Sequence, residues 1–344
     1  MAVDLYDLSF AELKKLLQEL NQPAFRAKQI WQGIYKNLWT DLADFSNLPL
    51  SLRDQISSQY NLGGLTLEKE LSSTDGQTHK YLYRLDDGLA IETVLMGYHD
   101  RNTVCISSQV GCAMGCKFCA TGNMGFSRNL TSGEIVEQVI KSAAILIADG
   151  KKLTNVVFMG MGEPFHNYQA VQEAIALLND PDGFGMGKRR FTISTVGIIP
   201  GIKKLTSERS QTNLAISLHA ADDQLRSKIV PINSKYSISA LMKTCDEYLE
   251  KTSRRITIEW ALIDGVNDAA EQARKLVDLI KGKLFHVNLI QLNPVDHFSG
   301  KPAQDLSARN FQKIVEGSGI PCTIRLRRGI DIQAGCGQLA SKTN

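Results

Sequence analysis

Three cysteines stand close together in "GCAMGCKFCATG", residues 111 to 122: Cys112, Cys116 and Cys119. Their C-x3-C-x2-C spacing brings three soft thiolates onto one loop without the nearby fourth donor that a closed structural zinc site takes. An open metal position is implied. Two occupants suit such a set, an iron–sulfur cluster with one iron left free for a chelating molecule, or zinc. Two further cysteines add to the chemistry. Cys105 lies in "TVCISSQVGC", just upstream of the triplet, and Cys336 lies in "GIDIQAGCGQL", where flanking glycines let the backbone approach a bound molecule closely. Glu92, in "LAIETVLM", is a carboxylate among apolar neighbours, which suits a proton acceptor but also an exposed glutamate on an edge strand.

These residues need a frame. "TVCIS", "NVVFMG", "RFTIST", "NLAISL", "ITIEWAL" and "HVNLIQL" are β-rich runs, and each gap between them is long enough for a helix. Such alternation predicts parallel strands joined by helical crossovers, in a partial TIM-like barrel or an open sheet. The residues with chemical potential follow the strands: "GMGEP" (160 to 164), "STVG" (194 to 197), "SLHA" (217 to 220) and "LNP" (292 to 294). In parallel barrels that end of the strands carries the chemistry. Individually these residues have plain readings too. Ser194 or Ser217 suits a strand-end hydrogen-bonder, Glu163 a helix-start carboxylate and His219 a core histidine. Cys245 falls in a helical run and Cys322 begins an apolar strand, so both read as buried structural residues.

Residues 1 to about 70 read as helical, with Ser9 and Glu12 forming a capping box and Ala27, Ile30, Trp31 and Ile34 on one face. A hairpin follows, "HKYLYRL" turning at "DDG" into "LAIETVLM". The predicted organisation is an N-terminal helical module plus hairpin (1–97), a core (98–330) and a C-terminal tail (331–344) that carries Cys336.

With 344 residues, 43% hydrophobic and 22% charged, the chain has globular composition, which excludes disordered and fibrous classes. Seven cysteines, an odd and modest number, argue against a secreted disulfide framework. No basic n-region opens the chain and no apolar run reaches membrane-spanning length, so the expected location is the cytoplasm, with no membrane partner. The net charge of +3 is small, but "KRR" (188 to 190), "SRR" (253 to 255) and "RLRR" (325 to 328) are basic clusters that a polyanion can use.

The cysteine triplet resembles that of the radical S-adenosylmethionine (SAM) superfamily. Taken together, "CISSQVGCAMGCKFCATG", "GMGEP", "SLHA", "LNP" and "AGCGQL" resemble the RlmN-type RNA adenine methyltransferases, with Cfr-type enzymes as nearest kin, over residues 5 to 341. That resemblance implies an α/β fold, a partial (β/α)6 TIM-like barrel with a small N-terminal helical accessory domain that contacts RNA. It implies a [4Fe-4S] cluster on Cys112, Cys116 and Cys119 and two SAM molecules per turnover, one as methyl donor and one as radical source. Gly162, Glu163, Ser194, Ser217, Leu218, His219 and Asn293 would contact SAM. Cys336 would carry a methyl group, a carbon radical formed from it would add to carbon 2 of adenine, Cys105 would release the product by forming a disulfide with Cys336, and Glu92 would take the ring proton. A methyl detour of this kind suits an electron-poor carbon that cannot attack a sulfonium itself. The implied partners are 23S rRNA at the peptidyl-transferase centre, tRNA at the adenosine 3′ of the anticodon, a flavodoxin or ferredoxin, and a thiol reductant, with the protein a monomer. Carbon 8 methylation, as in Cfr-type enzymes, a radical SAM reaction on another substrate, and a non-catalytic zinc RNA-binding protein are the competing expectations.

Overall fold

The computed structural model describes residues 3–340 of the chain, so residues 341–344 of the expected tail lie outside the described residues. The chain opens with β1 (Val3–Asp4), α1 (Phe10–Glu19), α2 (Phe25–Tyr35), α3 (Leu50–Ser57) and β2 (Tyr60–Asn61), with β1 and β2 paired in parallel. The capping box forms as expected: Ser9 Oγ accepts from Glu12 N at 3.3 Å, and Glu12 Oε2 accepts from Ser9 N at 2.8 Å. Helix α2 buries Ala27, Ile30, Trp31 and Ile34 together.

Three antiparallel strands come next, β3 (Thr66–Ser72), β4 (Thr78–Arg84) and β5 (Ala90–Gly97). The predicted hairpin is β4–β5. Strand β3 corrects the helical reading up to about residue 70: "TLEKELS" is an exposed edge strand, and without a buried face it lacks the apolar alternation by which strands are recognised. Strand β6 (Asn102–Cys105) pairs antiparallel to β5. A small ribbon follows, β7 (Gln109–Gly111) and β8 (Phe126–Asn129), and the loop between its strands holds the cysteine triplet and the single turn α4 (Ala120–Asn123).

The remaining elements alternate: α5 (Ser132–Ala148), β9 (Asn155–Phe158), α6 (Tyr168–Asn179), β10 (Phe191–Thr195), α7 (Ile199–Ser207), β11 (Asn213–Ser217), α8 (Asp223–Ile229), α9 (Ile238–Thr252), β12 (Ile256–Leu262), α10 (Ala270–Ile280), β13 (Phe285–Gln291), α11 (Asp305–Gly317) and β14 (Cys322–Ile324). One ten-stranded sheet results, in the order β3-β4-β5-β6-β9-β10-β11-β12-β13-β14, and all neighbours from β6 to β14 are parallel. The six predicted β-rich runs are β6 and β9 to β13, and β14 adds a short seventh parallel strand. Phe158 on β9 and Ile290 on β13 line one cleft. Four strand spacings in a flat sheet would set those strands about 19 Å apart, so the sheet curls, and the fold is the expected partial barrel with an N-terminal helical part. The sheet runs unbroken across residue 97 through the β5–β6 pairing.

Two acids, half-buried Asp7 and buried Glu137, tie the helical part to α5. Asp7 Oδ1 accepts from Gly133 N at 2.5 Å and Ser132 Oγ at 3.0 Å, at the N-terminus of α5 where donors are free. Glu137 Oε2 accepts from Gly64 N at 2.8 Å and Leu65 N at 3.1 Å, with Lys141 Nζ 3.2 Å from Oε1. Burial pushes the Glu137 carboxyl up to about 7 and that of nearby Asp4 up to about 6, against the backbone N–H groups that pull both down. A raised carboxyl pKa favours the folded state below the ordinary carboxylate range, and this contribution is lost as pH rises to the folded value. Glu137→Gln, fixed in the neutral form, is expected to keep its melting temperature between pH 5 and pH 8 better than the wild type does; parallel curves would show that the buried carboxylate costs nothing.

Candidate active site

The carboxyl ends of β9 to β13 and the cysteine loop enclose a cleft with about 840 Å³ of empty space, part of it open to solvent. Cys116, Cys119, Gly162, Glu163, Ser194, Ser217, His219, Asn293 and Cys336 all line it. Leu218 does not; it is fully buried behind the wall, its N donating to Glu259 O at 3.1 Å. Cys112 is buried beside the cleft, Cys105 faces an adjoining hollow, and Glu92 lies buried outside both.

Outside contacts hold the cysteine loop. Cys112 N donates to Gly125 O at 2.7 Å, Lys117 N to Ile229 O at 3.0 Å and Ala120 N to Gly337 O at 2.7 Å, so the ribbon, α8 and the C-terminal segment each fix one part of it. Burial pushes the Cys112 thiol up to about 12 and raises Cys116 and Cys119 as well, with thiolate repulsion adding to the rise at Cys112 and Cys116. Three such thiols ionise together only around a strong positive centre. Among the described residues no three His, Cys, Asp or Glu side chains draw close enough to share one metal ion. A four-iron cluster asks for a different arrangement, three sulfurs that each meet a separate iron, and it supplies the positive centre the thiols lack.

The opposite wall is polar and largely satisfied from within. Glu163 Oε1 accepts from Phe165 N at 3.0 Å and Oε2 from Val196 N at 2.9 Å, while burial pushes its carboxyl up to about 7. The Thr195 side chain also bonds this carboxylate, which leaves one of its four lone pairs for an amino group. Gly162 has φ +102°, and a Cβ there would lie 2.6 Å from Gln109 Cβ, so only glycine fits. Ser194 Oγ and Ser217 Oγ are 3.3 Å apart. His219 has φ +60° and its Nδ1 accepts from Ala261 N at 2.9 Å; burial, then the Arg226 charge, pull its pKa down to about 3 and keep the ring neutral. Asn293 Nδ2 donates to Cys336 O at 3.1 Å, but its buried Oδ1 has no partner. An orphaned acceptor in a cleft wall fits a ligand that brings a donor, as a nucleoside amino group does.

Cys336 lines both the cleft and the adjoining hollow, where it meets Cys105, Met159, Tyr98 and Arg325. Arg325 Nη1 donates to Cys336 Sγ at 3.7 Å. Cys105 is buried at the end of β6, and burial pushes its thiol up to about 12, with Arg325 pulling the other way. Glu92 is enclosed by the C-terminal segment: Lys80 Nζ lies 3.0 Å from its Oε1, and Ala340 N donates to its Oε2 at 2.8 Å.

The basic clusters divide. "RLRR" follows β14 and stands at the cleft's end of the sheet, whereas "KRR" and "SRR" precede β10 and β12 and stand at the opposite end, because both strands run the same way. There Arg189 and Arg254 both donate to Gln211 Oε1. Only the first cluster is placed to meet a molecule entering the cleft. Sequence reading missed Glu259 and Arg325. A charged residue inside the apolar run "ITIEWAL" was the available signal for Glu259; Arg325 was hidden in a cluster that reads as surface charge. Cys245 and Cys322 are buried, as read.

Residues 106–278 match the family model of the radical SAM superfamily, and residues 3–62 match that of the ribosomal RNA large subunit methyltransferase N-terminal domain. The chain is 46% identical to a probable dual-specificity RNA methyltransferase RlmN of Chloroflexus aurantiacus, over 98% of this chain and 93% of that one. It is 47% identical to dual-specificity RNA methyltransferase RlmN 1 of Myxococcus xanthus, over 98% and 94% respectively. The crystal structure of a radical SAM methyltransferase from Sphaerobacter thermophilus superposes with a TM-score of 0.97 at 46% identity, covering 99% of this chain and 100% of that one. With both terminal and core parts matched, and with cysteine loop, glycine–glutamate turn and second cysteine pair built around one cleft, the chain belongs to the RlmN family of the radical SAM superfamily.

Proposed function

We propose that this chain is a SAM-dependent RNA methyltransferase that methylates carbon 2 of adenosine, in 23S rRNA at the peptidyl-transferase centre and in tRNA 3′ of the anticodon. The observation that carries the reading is the double exposure of Cys336, which faces the cofactor cleft on one side and the Cys105 hollow on the other. One sulfur can then accept a methyl group in the cleft and later be attacked from the hollow. Family membership and the RlmN names of its relatives support the RNA substrate.

In this reading Cys112, Cys116 and Cys119 hold a [4Fe-4S] cluster. When bound, the cluster supplies the electron that opens SAM to a 5′-deoxyadenosyl radical. Gly162 and Glu163 receive the methionine end of SAM, Ser194, Ser217 and His219 line its site with Leu218 packed behind them, and the free Oδ1 of Asn293 takes a donor from its nucleoside. Two SAM molecules serve each turnover, the first leaving its methyl on Cys336. Arg325 Nη1, 3.7 Å from the Cys336 sulfur, holds that sulfur at the junction of cleft and hollow. After a carbon radical on the Cys336 S-methyl group has joined carbon 2, the adduct would return the one electron taken up and give its ring proton to Glu92. The Cys105 thiolate would then attack the Cys336 sulfur, the S–S bond forming as the bond from Cys336 sulfur to the methylene carbon breaks, and that carbon would take a proton to become the product's methyl group. Both oxygens of Glu92 are engaged by Lys80 and Ala340, so its role requires the C-terminal segment to move off it. A flavodoxin or ferredoxin provides the electron and a thiol reductant reopens the disulfide. Residues 1–97 serve RNA contact, 98–330 cofactor chemistry and 331–344 methyl transport, in a cytoplasmic monomer.

Mass spectrometry of the Cys336 peptide after anaerobic incubation with SAM and reductant tests this directly. A methyl adduct is expected on Cys336 in the wild type, and Cys105→Ala is expected to accumulate RNA joined to the same peptide. An unmodified peptide in protein with an intact cluster would sink the covalent route, and 8-methyladenosine rather than 2-methyladenosine in digested RNA would overturn the choice of carbon. Separately, Cys112→Ala, Cys116→Ala and Cys119→Ala should each lose most of the bound iron and sulfide while Cys105→Ala and Cys336→Ala keep theirs, as read by metal and sulfide assay; equal iron in all five would refute the ligand set.

A further inference from the structure

Arg226 is a buried charge whose contacts leave it uncompensated. It lies on α8 with no exposed surface, and its guanidinium donates to Leu218 O at 3.0 Å, Asn233 Oδ1 at 3.0 Å, Val196 O at 2.6 Å and Ser217 O at 3.3 Å. All four acceptors are neutral. Asp223, on the same helix, makes no ion pair with it and acts on it only through space, its Oδ1 accepting from Asn233 Nδ2 at 3.0 Å and Ile238 N at 2.8 Å. An ion held in a protein interior is costly unless an opposite charge offsets it. Neutral carbonyls satisfy its donors and leave the charge.

The surroundings indicate where the opposite charge belongs. Val196 and Ser217, whose carbonyls Arg226 grips, line the cleft together with Cys116 and Cys119. Ile229, at the end of the same short helix, accepts from the backbone of Lys117, the residue after Cys116. The guanidinium is therefore packed behind the wall that joins the cysteine loop to the strand ends. Burial pulls the Arg226 pKa down to about 10, and a charge on the nearby Cys116 sulfur would pull it the other way.

We propose that Arg226 is the fixed counter-charge of the iron–sulfur cluster, a positioning residue that makes the cluster easier to reduce. The inference rests on the cluster reading above. Three thiolates and a cubane carry net negative charge, and one more electron, taken from a low-potential one-electron donor that is itself oxidised, makes it more negative by one unit. No bond forms and no proton moves, because Arg226 stays protonated throughout. A permanent positive charge across a water-free wall favours the reduced side of that equilibrium. A purely structural clip for three carbonyls would hold the loops together without affecting the electron.

A mediated redox titration of the anaerobically reconstituted full-length protein, followed by electron paramagnetic resonance, separates the two. Arg226→Gln keeps an amide donor for the carbonyls and removes the charge; its one-electron reduction equilibrium is expected to fall about tenfold, a potential about 59 mV more negative. Arg226→Lys, which keeps the charge but not the fork, should stay within about threefold of wild type even where its melting temperature drops. An unchanged potential in a cluster-bearing Arg226→Gln overturns the proposal. Should that variant not hold a cluster, Asn233→Asp places a carboxylate on the guanidinium without removing it, and the potential is expected to move in the same direction; no movement there also overturns the proposal. A wild type that gives no reducible cluster at all sinks the cofactor reading itself, a result distinct from a cluster indifferent to Arg226.

Discussion

Three enclosed thiols, whose charged forms would repel one another, stand on one loop, and that loop is restrained from outside. Most of the architecture around the cleft provides that restraint. The β7–β8 ribbon closes the base of the loop, α8 takes its middle through Lys117, and the C-terminal segment takes its far side through Ala120. Thr121 Oγ1 adds a bond to Leu339 O at 2.6 Å, so the segment that carries Cys336 and the loop that carries the cysteine triplet hold each other in place. The same contacts that steady the loop bring Cys336 to the cleft.

That coupling explains why so much of the wall is satisfied internally. Glu163, His219 and Arg226 each spend polar atoms on backbone groups of neighbouring strand-end loops, which fixes the ends of β9 to β12 relative to one another. What is left over is informative: the unpaired Oδ1 of Asn293, the spare lone pair of Glu163 and the two facing serine hydroxyls form a sparse polar set in a cleft otherwise lined by apolar side chains. Membership of the radical SAM superfamily implies a ligand with an amino acid end and a nucleoside end, and a few fixed polar partners cost such a ligand less ordering than mobile ones.

The C-terminal segment plays two parts that pull against each other. It presents Cys336, and it covers Glu92 through Ala340 N while Gln333 O accepts from Lys80 Nζ at 3.3 Å. The segment therefore covers Glu92 and presents Cys336 at once. The helical part at the N-terminus docks along α5 through Asp7 and Glu137, beside the barrel, and leaves the mouth framed by "RLRR" on one side.

How much of this was legible in the residues alone follows from physical range. The capping box at Ser9, the six parallel strands and the cysteine triplet are set by neighbours within a turn or a loop, and local chemistry is written locally. Strand β3 escaped because an exposed edge strand has no buried face to leave a pattern. Only the tertiary structure decided that "KRR" and "SRR" face away from the cleft, since strand direction, not charge, sets the end on which a cluster lies. It also decided that Cys336 lines both the cysteine-loop cleft and the Cys105 hollow, that Glu92 is covered, that Arg325 contacts the Cys336 sulfur and that Arg226 is buried behind the cleft wall. Each of those facts depends on which distant segments share a wall, and burial and long-range pairing are properties of the packed chain that no short stretch of residues contains.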